Sequence, residues 1–326
     1  MRAFVTGGAG FIGRVLVGKL RARGDDVRGL ARSDASASAL RALGCDVAIG
    51  DLSDRAWLAS VMTGCDAAFH LAGDYRVGIG RRERPAMHAA NVTGTTTLLD
   101  AATDAGVTRT VYVSTINAFG DTRYRVVDET YERLRPYRYV SYYDETKHLA
   151  HEIARARIAG GAPVLIAQPG GVYGPGDHSE LGGMMRQAAA GRLRAVTFGD
   201  AGMNFLHVED AAAGVLAVHD RGVIGEAYVL GGEIATLGEV VRRIAAITGR
   251  RPPRLATPTW LLRALAPIGP LIGPAMAGRP NLRELLSASA GVTYWATDAK
   301  ARREIGYAPR DLETGLREVF GAAERG

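Results

Sequence analysis

The stretch Arg2-Ala-Phe-Val-Thr-Gly-Gly-Ala-Gly-Phe-Ile-Gly13 joins a short apolar segment to a glycine-rich turn. Arg2 to Thr6 is apolar and β-prone, which predicts a strand. Gly7 suits a tight turn, Gly10 lets a pyrophosphate approach the backbone, and Gly13 lets the next helix pack closely on the strand. The start of that helix directs free N–H groups and partial positive charge at phosphates. The expected cofactor-binding residues of this unit are Gly7, Gly10, Phe11, Ile12 and Gly13.

Strand and helix patterns continue to alternate after this unit. The predicted strands are Arg2–Thr6, Asp26–Ala31, Asp46–Ile49, Ala67–Leu71, Thr110–Ser114 and Pro163–Ala167. The predicted helices after the first one are Ala35–Leu43, Asp54–Met62, Pro85–Ala105 and Tyr142–Ala159. Repeated strand–helix–strand units predict an α/β fold, a doubly wound parallel sheet of the Rossmann type, with ligands at the carboxyl ends of its strands.

Beyond Gly170 the alternation gives way to glycine-rich and proline-rich segments. Short helices are predicted at Leu181–Ala190, Leu237–Thr248 and Asp298–Ile305. We therefore expect a dinucleotide-binding core over residues 1–170 and a smaller, mixed, mainly substrate-binding domain over residues 171–326. Residues 203–220 resemble a strand end followed by a helix, and we expect them to return to the core.

Composition narrows the class of protein. With 326 residues and 47% hydrophobic content, the chain can bury a sizeable core. The net charge of +6 is spread along the sequence without a basic run interleaved with aromatic residues, so nucleic-acid binding is not expected. Cys45 and Cys65 lack metal-ligand spacing and suit buried, reduced thiols. Neither a disulfide nor a metal site is predicted, because His178 also lacks a second ligand nearby.

No membrane segment is predicted. The longest apolar stretch, Trp260–Ala277, contains Arg263 and three prolines, which argues against a membrane span and favours a substrate cap. A strand starting at residue 2 leaves no room for a secretory signal, so we expect a cytoplasmic protein.

Two segments supply candidate catalytic groups. Tyr143-Asp-Glu-Thr-Lys147 places a phenol and an ammonium one helical turn apart. The lysine charge, together with a cationic nicotinamide, would favour the phenolate and suit acid–base chemistry, and Lys147 could also fix the nicotinamide ribose. The segment Val111–Gly120 is an apolar strand that delivers hydroxyl groups to the same edge of the sheet, where either Ser114 or Thr115 could stabilise a carbonyl oxygen as it gains charge.

The whole set resembles the extended short-chain dehydrogenases/reductases of the NAD(P)-dependent epimerase/dehydratase superfamily, over nearly the whole chain. The matching segments are Thr6–Gly13, Phe69–Gly73, Asn91–Thr95, Ser114–Gly120, Tyr143–Lys147, Pro169–Pro175, Phe205–Asp210 and Lys300–Pro309. The resemblance implies hydride exchange at nicotinamide C4, with Tyr143 as the acid/base. It also implies that Lys147 adjusts the pKa of Tyr143 and that Thr115, preferred over Ser114, polarises the carbonyl.

The resemblance also implies a cofactor-binding surface. Its further residues are Asp51, Leu52, Leu71, Ala72, Gly73, Asn91, Pro169, Gly170 and Val172, together with Tyr143 and Lys147. Asp51 is equally well explained as an ordinary helix cap. The family resemblance further implies a homodimer formed through helices Pro85–Ala105 and Tyr142–Ala159.

The end of the second predicted strand decides the expected cofactor. An acidic residue there would bind the ribose 2′-hydroxyl of NAD. This chain instead has Arg32 and Ser33, which suit a 2′-phosphate. We therefore predict NADP, with NAD as the alternative.

The substrate class is indicated mainly by departures from the family pattern. Ile116-Asn117 replaces the Asp-Glu of nucleotide-sugar dehydratases, and Asn204 stands where nucleotide-sugar enzymes commonly carry an arginine. The overall likeness is greatest to dihydroflavonol-reductase-like and hopanoid-associated sugar epimerase-like members, whose Asp-Tyr-Arg reappears as Asp74-Tyr75-Arg76. The segment Asp74–Pro85 is either a mobile loop over the site or a solvated connection. Tyr137, Tyr139 and Tyr142 either face the substrate or pack at a domain edge.

Three functions follow from this sequence. The first is an NADP-dependent reductase of a carbonyl on a medium-sized, partly apolar small molecule. The second is a sugar or nucleotide-sugar epimerase, and the third is a cofactor-binding protein without catalysis. The intact set of Thr115, Tyr143 and Lys147 speaks against the third.

Overall fold

The computed structural model describes residues 1–253, 255–256 and 281–321 of the chain. Its strands are β1 Arg2–Thr6, β2 Asp26–Ala31, β3 Asp46–Ile49, β4 Ala67–His70, β5 Arg109–Val113, β6 Val164–Pro169, β7 Gly171–Tyr173, β8 Ala195–Val196, β9 Gly202–His207, β10 Ala227–Leu230, β11 Glu233–Thr236, β12 Leu255–Ala256 and β13 Thr293–Tyr294. Its helices are α1 Phe11–Ala22, α2 Asp34–Ala42, α3 Arg55–Met62, α4 Arg84–His88, α5 Gly94–Asp104, α6 Tyr142–Ala159, α7 Glu180–Ala189, α8 Val208–Arg221, α9 Leu237–Ile247, α10 Leu282–Ser289, α11 Ala299–Ile305 and α12 Leu312–Phe320. A π-helical turn, Ala89–Thr93, joins α4 to α5, and a 3-10 turn spans Ile116–Phe119.

Seven parallel strands form the larger sheet, in the order β10-β6-β5-β4-β1-β2-β3. All residues of β4 and β6 are buried, as expected for parallel strands covered on both faces. Because β1 lies between β2 and β4, the strand order reverses there and leaves a crevice at the carboxyl end of β1. The doubly wound parallel sheet predicted from the sequence is confirmed.

Side chains of β1 alternate between the two layers of helices. Ala3 and Val5 pack in the core formed with α1 and α8, whereas Phe4 packs in the core formed with α3 and α5. Helix α6 packs over the neighbouring part of the same face as α5. The glycine-rich turn is thereby fixed between two packed layers at one edge of the sheet.

A second, smaller sheet contains β7, β9, β11 and β13. Strand β11 runs antiparallel to β9, while β7 and β13 run parallel to it. This sheet packs with α7, α9 and α12 around a separate apolar core. The mixed C-terminal unit predicted from the sequence is present.

Several details differ from the sequence predictions. Strand β9 belongs to the second sheet, and only α8, which follows it, packs on the larger sheet, so residues 203–220 divide at His207. Strand β10 adds to the larger sheet and was not predicted, because four apolar residues before a glycine pair give little signal. The helix predicted over Pro85–Ala105 contains the π-helical turn. Helices α10 and α12 were also not predicted.

The segment predicted as a substrate cap, Trp260–Ala277, lies outside the described residues. None of the helices in the described ranges is both long and apolar enough to cross a bilayer.

Candidate functional site

The glycine-rich turn is closely packed at two of its glycines. Gly7 has a φ of +69°, and a Cβ there would lie 2.7 Å from the backbone nitrogen of Ala72. A Cβ on Gly13 would lie 2.0 Å from the carbonyl oxygen of Gly7. The N–H of Gly10 donates to that same oxygen at 2.9 Å. The local geometry therefore requires glycine at both ends of the turn.

The start of α1 is left open. Its N-cap, Gly10, has no side chain to accept from the first-turn N–H groups, and the first turn carries no acidic residue. Helices α2, α3 and α6 all have side-chain caps, from Ser33, Asp54 and Ser141. Unsatisfied N–H groups and a positive dipole end at the crevice form an anion-binding position.

Residues after β4 and β3 lie around this turn. The N–H of Ala72 donates to Thr6 Oγ1 at 3.2 Å, which places Leu71 and Ala72 directly against Gly7. Asp51 Oδ1 accepts from the N–H and hydroxyl of Ser53 at 2.8 and 2.5 Å. These bonds, and the charge of Arg32, lower the pKa of Asp51. Asp51 is therefore ionised at neutral pH at this side of the crevice.

The two residues predicted to contact a 2′-phosphate, Arg32 and Ser33, differ in whether their side chains already make hydrogen bonds. Arg32 is exposed just after β2 and, within the described part of the chain, has no ion pair or hydrogen bond. The Ser33 hydroxyl caps α2 by accepting from the N–H of Ser36 at 3.3 Å. Arg32 is thus available to a ligand, whereas the hydroxyl of Ser33 already caps α2.

The candidate catalytic groups come from two neighbouring elements. Ser141 caps α6 by accepting from the N–H of Asp144 at 3.1 Å, which fixes the helix turn carrying Tyr143. The phenol of Tyr143 lies beside the hydroxyl of Thr115, the second residue after β5 and the N-cap of the 3-10 turn. The structure thus brings Thr115 and Tyr143 together.

Ser114 is used elsewhere. Its hydroxyl lies 3.0 Å from Nδ1 of His151 on α6, and both side chains are buried. Adjacent residues of an extended segment point in opposite directions, so only one of Ser114 and Thr115 can meet the phenol. The geometry favours Thr115.

Lys147 follows Tyr143 by one turn, and its ammonium is directed to β5. Its Nζ donates to the phenol oxygen of Tyr112 at 3.3 Å and to the carbonyl oxygen of Val113 at 3.4 Å. Tyr112 was not predicted as part of the site, since a tyrosine within an apolar strand gives no separate signal. The contact fixes the lysine beside the carboxyl end of β5.

Burial dominates the electrostatics of Tyr143. Burial, then the neighbours Tyr75, Tyr112 and Asp144, raise the pKa of Tyr143 well above its ordinary value, while the adjacent hydroxyl of Thr115 lowers it. We expected Lys147 to lower the pKa of Tyr143 toward neutrality. In the protein without a cofactor, burial outweighs this effect. The phenol is therefore protonated at neutral pH and suited to donate a proton.

Three buried polar side chains form a hydrogen-bonded series below the crevice. His70 on β4 bridges Thr6 Oγ1 at 2.8 Å and Thr95 Oγ1 at 3.0 Å. Burial, with the charge of Lys147, lowers the pKa of His70 to about 3, so the ring is neutral. This hydrogen-bonded series links β1 to α5 below the glycine-rich turn, and it was not predicted from the sequence.

Asn91, in the π-helical turn, uses its whole amide inside the protein. Its Oδ1 accepts from the N–H of Asp74 at 2.7 Å, and its Nδ2 donates to the carbonyl oxygen of Asp74 at 2.9 Å and to Thr146 Oγ1 at 3.0 Å. The side chain is 3% exposed. Asn91 therefore fastens the loop after β4 to the helix that carries Tyr143.

Pro169, Gly170 and Val172 lie where β6 passes into β7. The N–H of Gly170 donates to the carbonyl oxygen of Leu230 at 3.1 Å. A Cβ on Gly170 would lie 2.5 Å from the carbonyl oxygen of Asn204. This junction joins the two sheets at the same edge as Tyr143 and Thr115.

A parallel doubly wound sheet with an open, glycine-lined helix start, next to a paired phenol and hydroxyl, defines a dinucleotide-dependent enzyme of the Rossmann type. The chain belongs to the NAD dependent epimerase/dehydratase family, whose sequence profile matches residues 3–231. It is an NAD(P)-dependent oxidoreductase or epimerase of the extended short-chain dehydrogenase/reductase type, so the family predicted from the motifs is confirmed.

Several named proteins are similar to this chain over nearly their whole length. Sterol demethylase protein B of Methylococcus capsulatus is 30% identical, covering 99% of this chain and 97% of its own. The 4-hydroxy-2-methyl-3-oxo-4-farnesyl-3,4-dihydroquinoline-1-oxide ketoreductase of Stigmatella aurantiaca is 34% identical, covering 95% and 92%. A Synechocystis sp. protein whose name includes "dihydroflavonol 4-reductase" is 30% identical, covering 97% and 92%, which agrees with the likeness seen in the sequence.

The fold has a similarly close counterpart among solved structures. The crystal structure of gox2253 superposes with a TM-score of 0.83 and 31% sequence identity, covering 98% of this chain and 96% of its own.

Proposed function

We propose that the protein is an NADP-dependent reductase that converts a ketone or aldehyde of a medium-sized, partly apolar molecule to the alcohol. The observation that carries this proposal is the protonated phenol of Tyr143 beside the Thr115 hydroxyl, at the carboxyl-end edge of the sheet where the start of α1 is also open. A protonated phenol is the group that a carbonyl reduction needs, because the new alcohol oxygen must receive a proton.

The residues at the crevice fit a dinucleotide. Gly7 and Gly13 leave no room for a side chain, and the N-terminus of α1 is uncapped, so the backbone can hold a pyrophosphate. Leu71, Ala72 and Gly73 would lie along the same cofactor, and Pro169, Gly170 and Val172 would line its nicotinamide side. When bound, the reduced cofactor supplies a hydride to the carbonyl carbon.

The residues of the chain supply the remaining chemistry. The Thr115 hydroxyl donates a hydrogen bond to the carbonyl oxygen, which stabilises the charge developing there. Tyr143 gives its phenolic proton to that oxygen as the C–O double bond becomes a single bond. Lys147, held against Tyr112 and Val113, places a positive charge next to the phenolate that this transfer leaves.

Asn204 argues against a sugar diphosphate as substrate. Its Nδ2 donates to the carbonyl oxygens of Gly232 and Ala296 at 3.0 and 2.8 Å, and its Oδ1 accepts from the N–H of Ala296 at 2.9 Å. The amide of Asn204 is fully hydrogen-bonded, and the residue is 1% exposed. It therefore cannot bind a sugar diphosphate as the arginine at this position does in nucleotide-sugar enzymes. This favours reduction over nucleotide-sugar epimerisation.

Arg32 supports NADP as the cofactor. Its unpaired guanidinium lies at the end of β2, where NAD-specific proteins place an acidic residue. An arginine fork suits a 2′-phosphate. We also infer a homodimer through α4, α5 and α6, which the molecular mass in solution, measured by light scattering, tests.

The function is tested by following absorbance at 340 nm with NADPH and a panel of ketones, aldehydes and sugars. Oxidation of NADPH in proportion to alcohol formed is expected. Conversion of a sugar to its epimer without net loss of NADPH would instead identify an epimerase, and cofactor binding without any turnover would identify a non-catalytic protein.

A further inference from the structure

Tyr75, in the loop after β4, packs against the candidate catalytic tyrosine. The ring centroids of Tyr75 and Tyr143 lie 4.7 Å apart with an interplanar angle of 87°. We propose, on the basis of the reductase function above, that Tyr75 is a substrate-binding residue that selects ketones with a flat, unsaturated group next to the carbonyl. No motif or predicted contact assigned it this role.

The ring of Tyr75 is accessible although it packs against the half-buried Tyr143. Its side chain is 63% exposed. An aromatic side chain left open to solvent beside a reacting phenol provides a flat apolar surface at the position where a carbonyl substrate must lie.

The loop that carries Tyr75 is held in place on both sides of the ring. Asn91 binds the backbone N–H and carbonyl of Asp74 and also bonds Thr146, which lies on the same helix as Tyr143. Arg76 pairs with Asp74 at 2.6 Å and with Glu83 at 2.7 Å. These contacts tie the position of the Tyr75 ring to the helix of the catalytic phenol, so little conformational freedom is lost when a ligand binds.

Burial, together with the charges of Glu180 and Asp177, raises the pKa of the Tyr75 phenol. Tyr75 therefore stays protonated at neutral pH and presents an uncharged ring to a ligand.

The cation next to Tyr75 in the sequence, Arg76, is paired with Asp74 and Glu83. A flat apolar group of the substrate would gain the contact with the Tyr75 ring.

The test compares two ketones of equal carbon skeleton, acetophenone and cyclohexyl methyl ketone, in the full-length enzyme with NADPH. Wild type is expected to have the higher kcat/KM for acetophenone. Tyr75→Ala should reduce this preference about three- to tenfold, the usual contribution of one aromatic pair. Tyr75→Phe should retain it, because the ring rather than the hydroxyl makes the contact.

Ile224→Ala is the matched control, since it removes another exposed apolar side chain at the opposite edge of the sheet. Ile224 is 45% exposed, and its neighbour Gly225 bonds Val164, the first residue of β6. The preference should be unchanged in this variant. Loss of preference in Ile224→Ala, or an unchanged preference in Tyr75→Ala, would overturn the role of Tyr75.

A second measurement separates this proposal from the reductase function. Calorimetry with NADP⁺ present gives the Kd of both ketones for wild type and Tyr75→Ala, whether or not turnover occurs. Tighter acetophenone binding that is lost in Tyr75→Ala supports the contact even if no NADPH is consumed. Equal affinity of wild type for the two ketones, or failure to bind either, refutes it.

Discussion

The phenol of Tyr143 lies where burial and neighbouring groups disfavour its charged form. Its neighbour Thr115 is itself fixed, because the Thr115 hydroxyl accepts from the N–H of Asn117 and donates to Oδ1 of Asn117, both at 3.2 Å. The sequence predicted the residues of this pair. Their contact depends on β5 and α6 lying side by side, which the residue pattern alone does not measure.

Tyr143→Phe removes the proton donor while keeping the ring. We expect kcat to fall about 100-fold or more, as for loss of a general acid, with the Kd for NADPH unchanged. Steady-state kinetics and a fluorescence titration measure the two quantities. Tyr124→Phe, which alters an exposed phenol, serves as control, and wild-type turnover in Tyr143→Phe would refute the assignment.

Arg32 is the residue whose charge we expect to decide between the cofactors. Arg32→Glu should weaken NADPH binding at least about tenfold and improve NADH binding, because a carboxylate repels the 2′-phosphate and accepts from a 2′-hydroxyl. Fluorescence titrations with both cofactors give the ratio of Kd values. Arg41→Glu, at an exposed position of α2, changes the net charge by the same amount and should leave that ratio unaltered. Equal affinity of the wild type for the two cofactors would contradict the NADP proposal.

At the level of elements, the start of α6 is supported from a distant part of the chain. Glu284, on α10, accepts from the N–H of Tyr142 at 2.8 Å, next to the candidate catalytic tyrosine. Asn281 Nδ2 donates to Glu284 at 2.8 Å, and Arg84 lies 3.7 Å from it. A carboxylate at a helix N-terminus is favourable for the helix dipole. Helix α10, distant in the chain, thus helps to hold the helix that carries the candidate catalytic tyrosine.

Glu284→Ala should lower the free energy of unfolding by about 1–2 kcal/mol, since a 7% exposed carboxylate and its helix contact are lost. It should also reduce kcat with little change in the Kd for NADPH, because the helix turn of Tyr143 loosens. Urea unfolding and kinetics test this. Glu284→Gln, which keeps an oxygen acceptor, should recover most of kcat; a kcat of wild-type size in Glu284→Ala would refute the coupling.

At the scale of the whole molecule, β6 of the larger sheet continues into β7 of the smaller one, at the edge of the larger sheet where the crevice at β1 opens. NADPH that binds only the folded protein should stabilise it. At about 100 times its Kd, the gain is about 2.7 kcal/mol. We expect a rise in Tm of roughly 4 °C for a chain of this size.

Thermal unfolding with NADPH, NADH and no cofactor measures this effect. NADH at the same concentration should give the smaller rise. An absence of any shift with either cofactor would contradict dinucleotide binding at the crevice.

The sequence by itself determined the alternation of β1 to β6 with their helices and the identities of Thr115, Tyr143 and Lys147. These depend on local patterns, since apolar periodicity and glycine spacing act over a few residues. The loop Asp74–Pro85 was predicted to be either mobile or a solvated connection, whereas Asn91 and the Arg76 ion pairs fasten it.

Only the tertiary structure decided which groups meet across long separations in the chain. It placed β10 in the larger sheet, β9 in the smaller one, Tyr75 against Tyr143, and Glu284 at the start of α6. It also raised the pKa of Tyr143, because burial depends on the packing of the whole molecule rather than on neighbours in sequence.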